Sequence, residues 1–535
     1  MSGQQATDCV YLPYGQTGFF SKTILDYLDN KEPLQPFYLH PVSLDGIRAA
    51  IQQRQGFRQD REVLVKVLKQ QYKGVPISEK LKQNLELLSK ENTFTITTAH
   101  QPVIFTGPLY FAYKILHAVK LAEESRKQLP EHHFVPVFYM GSEDADLNEL
   151  GTINVDGKEY KWNTKQTGAV GRMKIDKAFL DLLYQLHNQI SVLPFGSELL
   201  QVFKRCYRAD ITIQQATLEV VNELFGEYGV IVLIPDNADL KRLPEAAFSK
   251  EIEEQFSHFE VEKTVAQLSE NYKVQAGGRE VNLFYLIDDS RERIEKNGND
   301  FIVQNKNLRF TKEELLSELK QHPERFSPNV ILRGVLQETL LPNIVFIGGG
   351  GELAYWLELK NVFEAVQVPY PVLVLRNSFL FIDQKQALKI KELGFVLNDF
   401  FKDDFELINS LVKRASGNRT DLSEELQKTE ELFLQFQTLA GKTDATLSEH
   451  TAALWAATEK KLKALEKKML RAERRKYETQ QGQINILKQQ LFPNNNLQER
   501  VENISGWYAR FGKNFIDLIY NNSLTLEQQF AIVTL

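Results

Sequence analysis

Five short apolar runs constrain this chain more than any other feature: "TFTITT" (93–98), "FVPVFYM" (134–140), "YGVIVLI" (228–234), "NIVFI" (343–347) and "YPVLVLR" (370–376). Each has strand length and is rich in β-branched or aromatic residues, as expected of buried strands. Two pairs flank helical patterns, at about 108–129 and 352–366, giving strand, helix, strand units. Such crossovers require parallel pairing. The expected fold class is therefore α/β, a doubly wound parallel-sheet core whose ligands bind at the strand C-termini.

The remainder divides around this core. Residues 1–92 read as a mainly helical approach and 93–150 as the first part of the core. A connecting insertion follows over 151–225, opening with a hairpin at Asp156 and Gly157. The core returns at 226–249, a second insertion covers 250–330, and the last part of the core is 331–383. From 384 to 535 the pattern is helical. Its longest stretch, 445–491, exceeds what one compact domain holds; Leu462, Leu465, Met469 and Ala472 repeat at coiled-coil spacing, and Ile484, Leu487 and Leu491 resume it after a polar interruption. The partner helix is either "DLSEELQKTEELFLQFQTL" of the same chain or a second subunit.

With 535 residues, 43% hydrophobic and 25% charged, the chain is globular and long enough for two to four domains. A net charge of -6 lacks the basic footprint of a nucleic-acid binder. Two cysteines, Cys9 and Cys206, make neither a disulfide framework nor a cysteine zinc site. No run of about 20 apolar residues spans a membrane, and the expected location is the reducing cytoplasm.

Three turns at predicted strand ends carry candidate chemistry. "TTAHQPVIFTGP" places His100, Gln101, Thr106 and Gly107 before a helix N-terminus, where free N–H groups and the dipole favour anions. Thr106 is either the helix cap or a ligand donor, and His100 is a general acid or base, an imidazolium, or a binding group. "GSEDADLNEL" concentrates Glu143, Asp144 and Asp146, which suit an ammonium, sugar hydroxyls or a cation. "IGGGGELAYW" places Gly348, Gly349, Gly350 and Gly351 before Glu352, a pattern suited to cradling a phosphate or carboxylate, with Arg376 at the end of the next strand to balance an anion. It is not a Walker loop, because no Lys-Ser/Thr follows.

Four segments in order, "TTAHQPVIFTGPLYFAYKILHAVKLA", "VPVFYMGSEDADLNEL", "LPNIVFIGGGGELAYWLELKNVFE" and "VPYPVLVLRNSF", with a coiled-coil tail, resemble the bacillithiol synthase family, the cysteine-adding ligases of bacillithiol biosynthesis. The resemblance implies a Rossmann-like core with two connecting segments and a C-terminal α-helical coiled-coil domain that forms a homodimer. It also implies amide formation between L-cysteine and glucosaminyl malate, with a nucleotide such as ATP as a candidate activator and no metal assigned. Carried onto this chain, it makes His100, Asp144 and Asp146 candidate catalytic residues. The other residues of the three turns become candidate binding groups. The competing readings are another adenylate-forming ligase or nucleotidyltransferase, and a ligand-binding coiled-coil scaffold without catalysis.

Overall fold

The computed structural model describes residues 8–415 and 421–535. Its centre is a five-stranded, wholly parallel sheet in the order Val372–Leu375, Asn343–Gly348, Thr93–His100, His133–Met140, Ile231–Leu233. Counted along the chain, that order is 5-4-1-2-3, the arrangement of a dinucleotide-binding half-sheet extended across its switch point. The reversal falls between Thr93–His100 and Asn343–Gly348, so the turns leaving those strands splay apart and open a crevice between them. These strands are buried on both faces, which explains their continuous rather than alternating apolar character.

The crossover helix Tyr110–Gln128 packs on the first two strands and is buried along most of its length. Its counterpart after the glycines differs from the single helix expected over 352–366. It forms two pieces, Gly350–Trp356 and Lys360–Ala365. Between them the Glu358 carboxylate turns inward to accept the N–H groups of Gln275 and Ala276, and the Trp356 carbonyl accepts the Tyr370 hydroxyl. Tertiary hydrogen bonds thus replace the helical ones at the break.

The first insertion contains the expected hairpin, Thr152–Val155 with Lys158–Lys161, followed by helices. The second contains an antiparallel sheet in the order Leu308–Thr311, Asp300–Val303, Ser290–Asn297, Leu283–Ile287, Phe326–Pro328. Its last strand leads into the helix Val330–Leu340, which is anchored by a buried pair, Arg54 with Glu338, at 2.6 Å.

Two helical expectations require correction. The N-terminal segment contains a strand, Asp8–Pro13, which pairs with Gln529–Thr534 near the other end of the chain; that strand also pairs with Ser378–Ile382. Neither terminal strand meets its partner locally, so nothing nearby in sequence announces them. The 445–491 stretch is not one helix either. It consists of Ala445–Arg474, a tight turn at Arg475–Tyr477, and Glu478–Leu491, with the break at the polar interruption.

The partner of the long helix is in the same chain. Ser423–Thr443 and Ala445–Arg474 form an antiparallel hairpin around Asp444. Phe433 meets Trp455, and the Leu422 N–H reaches Glu466, each pair equidistant from that turn. Among the described residues, no helix is long and apolar enough to cross a membrane.

Candidate functional site

A cleft of about 480 Å³ opens at the switch point, where the first and fourth core strands end. A cavity of this size suits a small molecule. The three turns singled out above converge here, although not every residue in them reaches the cleft.

His100 and Gln101 line it; Thr106 and Gly107 do not. The turn instead runs through Phe105, Thr106 and Gly107 with positive φ (49°, 70° and 66°), a conformation that is costly for the first two. Tertiary contacts hold it. The Phe105 N–H donates to the Tyr207 hydroxyl, its ring packs among Phe179, Phe203 and Tyr207, and Asn503 donates to the carbonyls of Phe105 and Gly107. Thr106 therefore does not cap the following helix, whose N-cap is Leu109 without a side-chain bond. The N–H groups of Leu109, Phe111 and Ala112 already donate to protein carbonyls, so this helix end is not the open anion cradle its sequence suggested.

His100 is held by both ring nitrogens: Nδ1 lies 3.0 Å from the Gln101 carbonyl and Nε2 lies 3.3 Å from the Tyr110 hydroxyl. The carbonyl places the proton on Nδ1, leaving Nε2 to accept. Burial first, then the Lys114 charge, pushes its pKa down to about 4. At neutral pH the ring is an uncharged acceptor, which removes the imidazolium role.

The acidic turn is divided. Glu143 forms an ion pair with the fully buried Lys241, which also lies 3.5 Å from Asp236, itself held by Arg172 at 2.6 Å. Asp144 faces the cleft, where its Oδ2 accepts from Gln101 Nε2 at 3.1 Å. Asp146 does not reach the cleft; it is exposed and caps the short helix Leu147–Leu150 by accepting the Glu149 N–H. Glu149 takes the place expected of Asp146 in the cleft wall, and burial followed by the charges of Asp144 and Asp146 raises its pKa.

In the glycine turn, Gly349, Gly350 and Gly351 border the cleft, while Gly348 is the last strand residue and lies behind it. None of the four has a positive φ. Gly348 is required by packing, because a Cβ there would lie 2.9 Å from the Phe346 ring; a Cβ on Gly351 would meet nothing within 4 Å. Glu352 Oε2 accepts the Gly349 N–H at 2.8 Å and pairs with buried Lys114, which in turn donates to the Ala99 carbonyl. That oxygen is therefore committed to structure rather than to a substrate amine. The Lys114–Glu352 pair also ties the first crossover helix to the glycine turn across the switch point.

Arg376 lines the cleft as expected, paired with buried Glu499 at 2.7 Å. Three further arginines were not anticipated: Arg291, Arg333 and Arg500. Arg291 donates to Ser327 Oγ and the Pro328 carbonyl and stacks over Phe284, and Arg333 donates to Gln337 and Tyr355. None of the three forms an ion pair among the described residues. For Arg333 a signal existed, a lone arginine inside the apolar helix "VILRGVL", just as Lys114 interrupts "YFAYKILHAV". Arg291 sits in a charged hairpin that resembles any solvated surface.

The cleft is lined by both signs of charge. Among the described residues Asp144, Glu149, Arg291 and Arg333 have no direct ion-pair partner, although Glu143 and Asp144 act on Arg291 through space, whereas Glu143, Glu352 and Arg376 are each paired within the protein. Such a site complements a ligand that carries both an ammonium and carboxylates or phosphates.

Comparisons with known proteins agree with this architecture. A profile described as "Bacillithiol biosynthesis BshC, N-terminal Rossmann-like domain" matches residues 7–377, and "Bacillithiol biosynthesis BshC, C-terminal coiled-coil domain" matches 379–535. The Flavobacterium johnsoniae protein named "Putative cysteine ligase BshC" is 39% identical over 533 residues, covering 99% of this chain and 100% of its own length. Proteins of the same name from Christiangramia forsetii (37% over 535 residues, 99% of each chain) and Cytophaga hutchinsonii (37% over 486 residues, 91% of each) match similarly.

Proposed function

This chain belongs to the BshC family of bacillithiol biosynthesis, and from that membership we propose that its cleft joins the carboxyl group of L-cysteine to the amine of glucosaminyl malate as an amide. One observation carries the reading: acids and arginines that form no direct ion pair among the described residues line the same switch-point cleft. Cysteine brings an ammonium suited to Asp144 and Glu149. The malate carboxylates suit Arg291 and Arg333, whose planar guanidinium groups bind such anions in bidentate fashion.

Amide formation from a free carboxylate needs activation, and a nucleotide such as ATP is the candidate cosubstrate for that step. The attacking sugar amine must lose a proton as the C–N bond forms. His100, uncharged at neutral pH, has no proton to deliver, and burial that pushes its pKa down to about 4 also makes it a weak base, so its part here is to bind and to orient Tyr110 through Nε2. Gln101 orients Asp144.

Reconstitution with cysteine, glucosaminyl malate and ATP, omitting each in turn, tests the reading. Amide product that requires all three is expected. Product without ATP moves activation elsewhere, and binding without product rejects the ligase assignment.

The coiled-coil hairpin supplies the proposed homodimer contact. Leu432, Leu434, Phe436, Leu439, Leu447, Leu454 and Leu465 are exposed along it, more apolar surface than a solvated hairpin needs. Sedimentation should give twice the chain mass, and charged replacements at Leu434 and Leu439 should halve it.

A further inference from the structure

We propose that Arg500, a residue of the C-terminal domain, is a substrate-binding residue that holds a carboxylate or phosphate at the mouth of the core cleft. The inference rests on the reading of that cleft as the substrate site and adds a contact from outside the Rossmann-like core.

Residues 498–503 form a strap fixed at both ends. On one side, Gln498 pairs through its amide with the backbone of Phe381, and buried Glu499 accepts from the Phe379 N–H, the Ser378 hydroxyl and Arg376. On the other, the Glu502 carbonyl accepts the Leu109 N–H at 2.8 Å, and Asn503 holds the turn at Phe105 and Gly107. The strap therefore bridges the strand that leaves the last core unit and the turn that follows His100. Arg500 lies between these anchors and lines the cleft beside Tyr110, Glu149 and Arg376.

Its neighbours in the strap are satisfied by protein, but its side chain is not. Among the described residues it has no ion pair and no side-chain hydrogen bond, and it is exposed. Glu499 already neutralises Arg376, so Glu499 is not free to pair with Arg500, which adds a further positive charge to a mouth that also holds Glu149. Both arginines oppose the burial that pushes the Tyr110 phenol up to about 12. The anchored backbone brings an unpaired guanidinium to the cleft mouth, so that only the side chain remains to be ordered when an anion binds.

The test is calorimetric titration of the full-length protein, wild type, Arg500→Gln and Arg500→Lys, with glucosaminyl malate, with glucosamine lacking the malate, and with ATP. Arg500→Gln should bind glucosaminyl malate roughly tenfold more weakly, the loss expected for one partly solvated charge-assisted hydrogen bond. Glucosamine binding should be unchanged, and Arg500→Lys should retain part of the affinity. A loss confined to ATP supports the same anion site with phosphate as its occupant. Unchanged affinity for both anions in Arg500→Gln overturns the proposal and leaves the substrate reading intact. Wild-type protein that binds none of the three overturns that reading and the proposal with it. Melting temperatures of the variants should equal that of the wild type, because the Arg500 side chain makes no ion pair or hydrogen bond among the described residues.

Discussion

Asn503 donates its side-chain amide to the carbonyl of Phe105 at 2.8 Å, across 398 residues of sequence, and so holds the turn that leaves the first core strand in a left-handed conformation. The same side chain donates to the Gly107 carbonyl and accepts the Ser505 N–H as a helix cap. Replacing Asn503 with Ala removes one cap and leaves two buried carbonyls unsatisfied. The expected loss is about 3 kcal/mol, measured by denaturant unfolding. Asn503→Asp keeps the cap but sets a carboxylate against two carbonyls, so it should lose at least as much as Ala.

Two glycines should respond in opposite ways to a methyl group. Gly107 has φ +66° and would bring a Cβ to 2.9 Å from Val103; Gly107→Ala is expected to cost about 2 to 3 kcal/mol. Gly351 is in the first turn of a helix with open space around the added carbon. Gly351→Ala should leave stability unchanged or raise it by up to about 1 kcal/mol, while weakening ligand binding. Thermal melts and titrations of the two variants, made side by side, check both halves.

Asp144 and Asp146 look equivalent in sequence, and the structure separates them. Asp144→Asn should lower kcat/KM for cysteine by about a hundredfold or more, because a carboxylate facing the ammonium is lost. Asp146→Asn should stay within about twofold, since Asn caps a helix as well as Asp does. Equal losses in the two variants would contradict the placement of Asp146 outside the cleft.

Acid should loosen the core through His117. Its Nε2 donates to the Thr525 carbonyl at 2.8 Å, and its Nδ1 accepts the Asn377 N–H at 3.1 Å, so the ring must be neutral to make both bonds. Burial pushes its pKa down to about 4, as it does for His100. In the unfolded chain the group titrates near about 6.5. Its stabilising contribution is therefore complete above about 6.5 and is lost as pH falls through about 4. Melting temperature should drop across that interval, and His117→Gln should flatten the drop.

Much of this fold is legible in the linear chain because its signals are local. The runs at 93–98, 134–140 and 343–347 are strands because short β-branched and aromatic runs lie between helical patterns, and that alternation dictates parallel pairing. The hairpin at Asp156 follows from its turn residues, and the polar interruption in the 445–491 stretch announced a change of register, although not the break in the helix itself. His100, Gln101, Asp144, Gly349 and Arg376 were found because ligand turns follow the C-terminal ends of such strands.

What the linear chain did not determine is which residues of those turns face inward and which charges are already balanced. Glu143 and Glu352 look as available as Asp144, yet Lys241 and Lys114 neutralise them from helices remote in sequence. Thr106 looks like a cap until a C-terminal asparagine twists its turn away from the cleft. The strands at Asp8–Pro13 and Gln529–Thr534 are strands because each finds the other. Arg291 and Arg500 become ligand candidates only when folding brings them to one cleft, where neither forms an ion pair among the described residues. Periodicity and turn chemistry act over a few residues and can be read in order; charge compensation and strain act through space, and only the tertiary structure decides them.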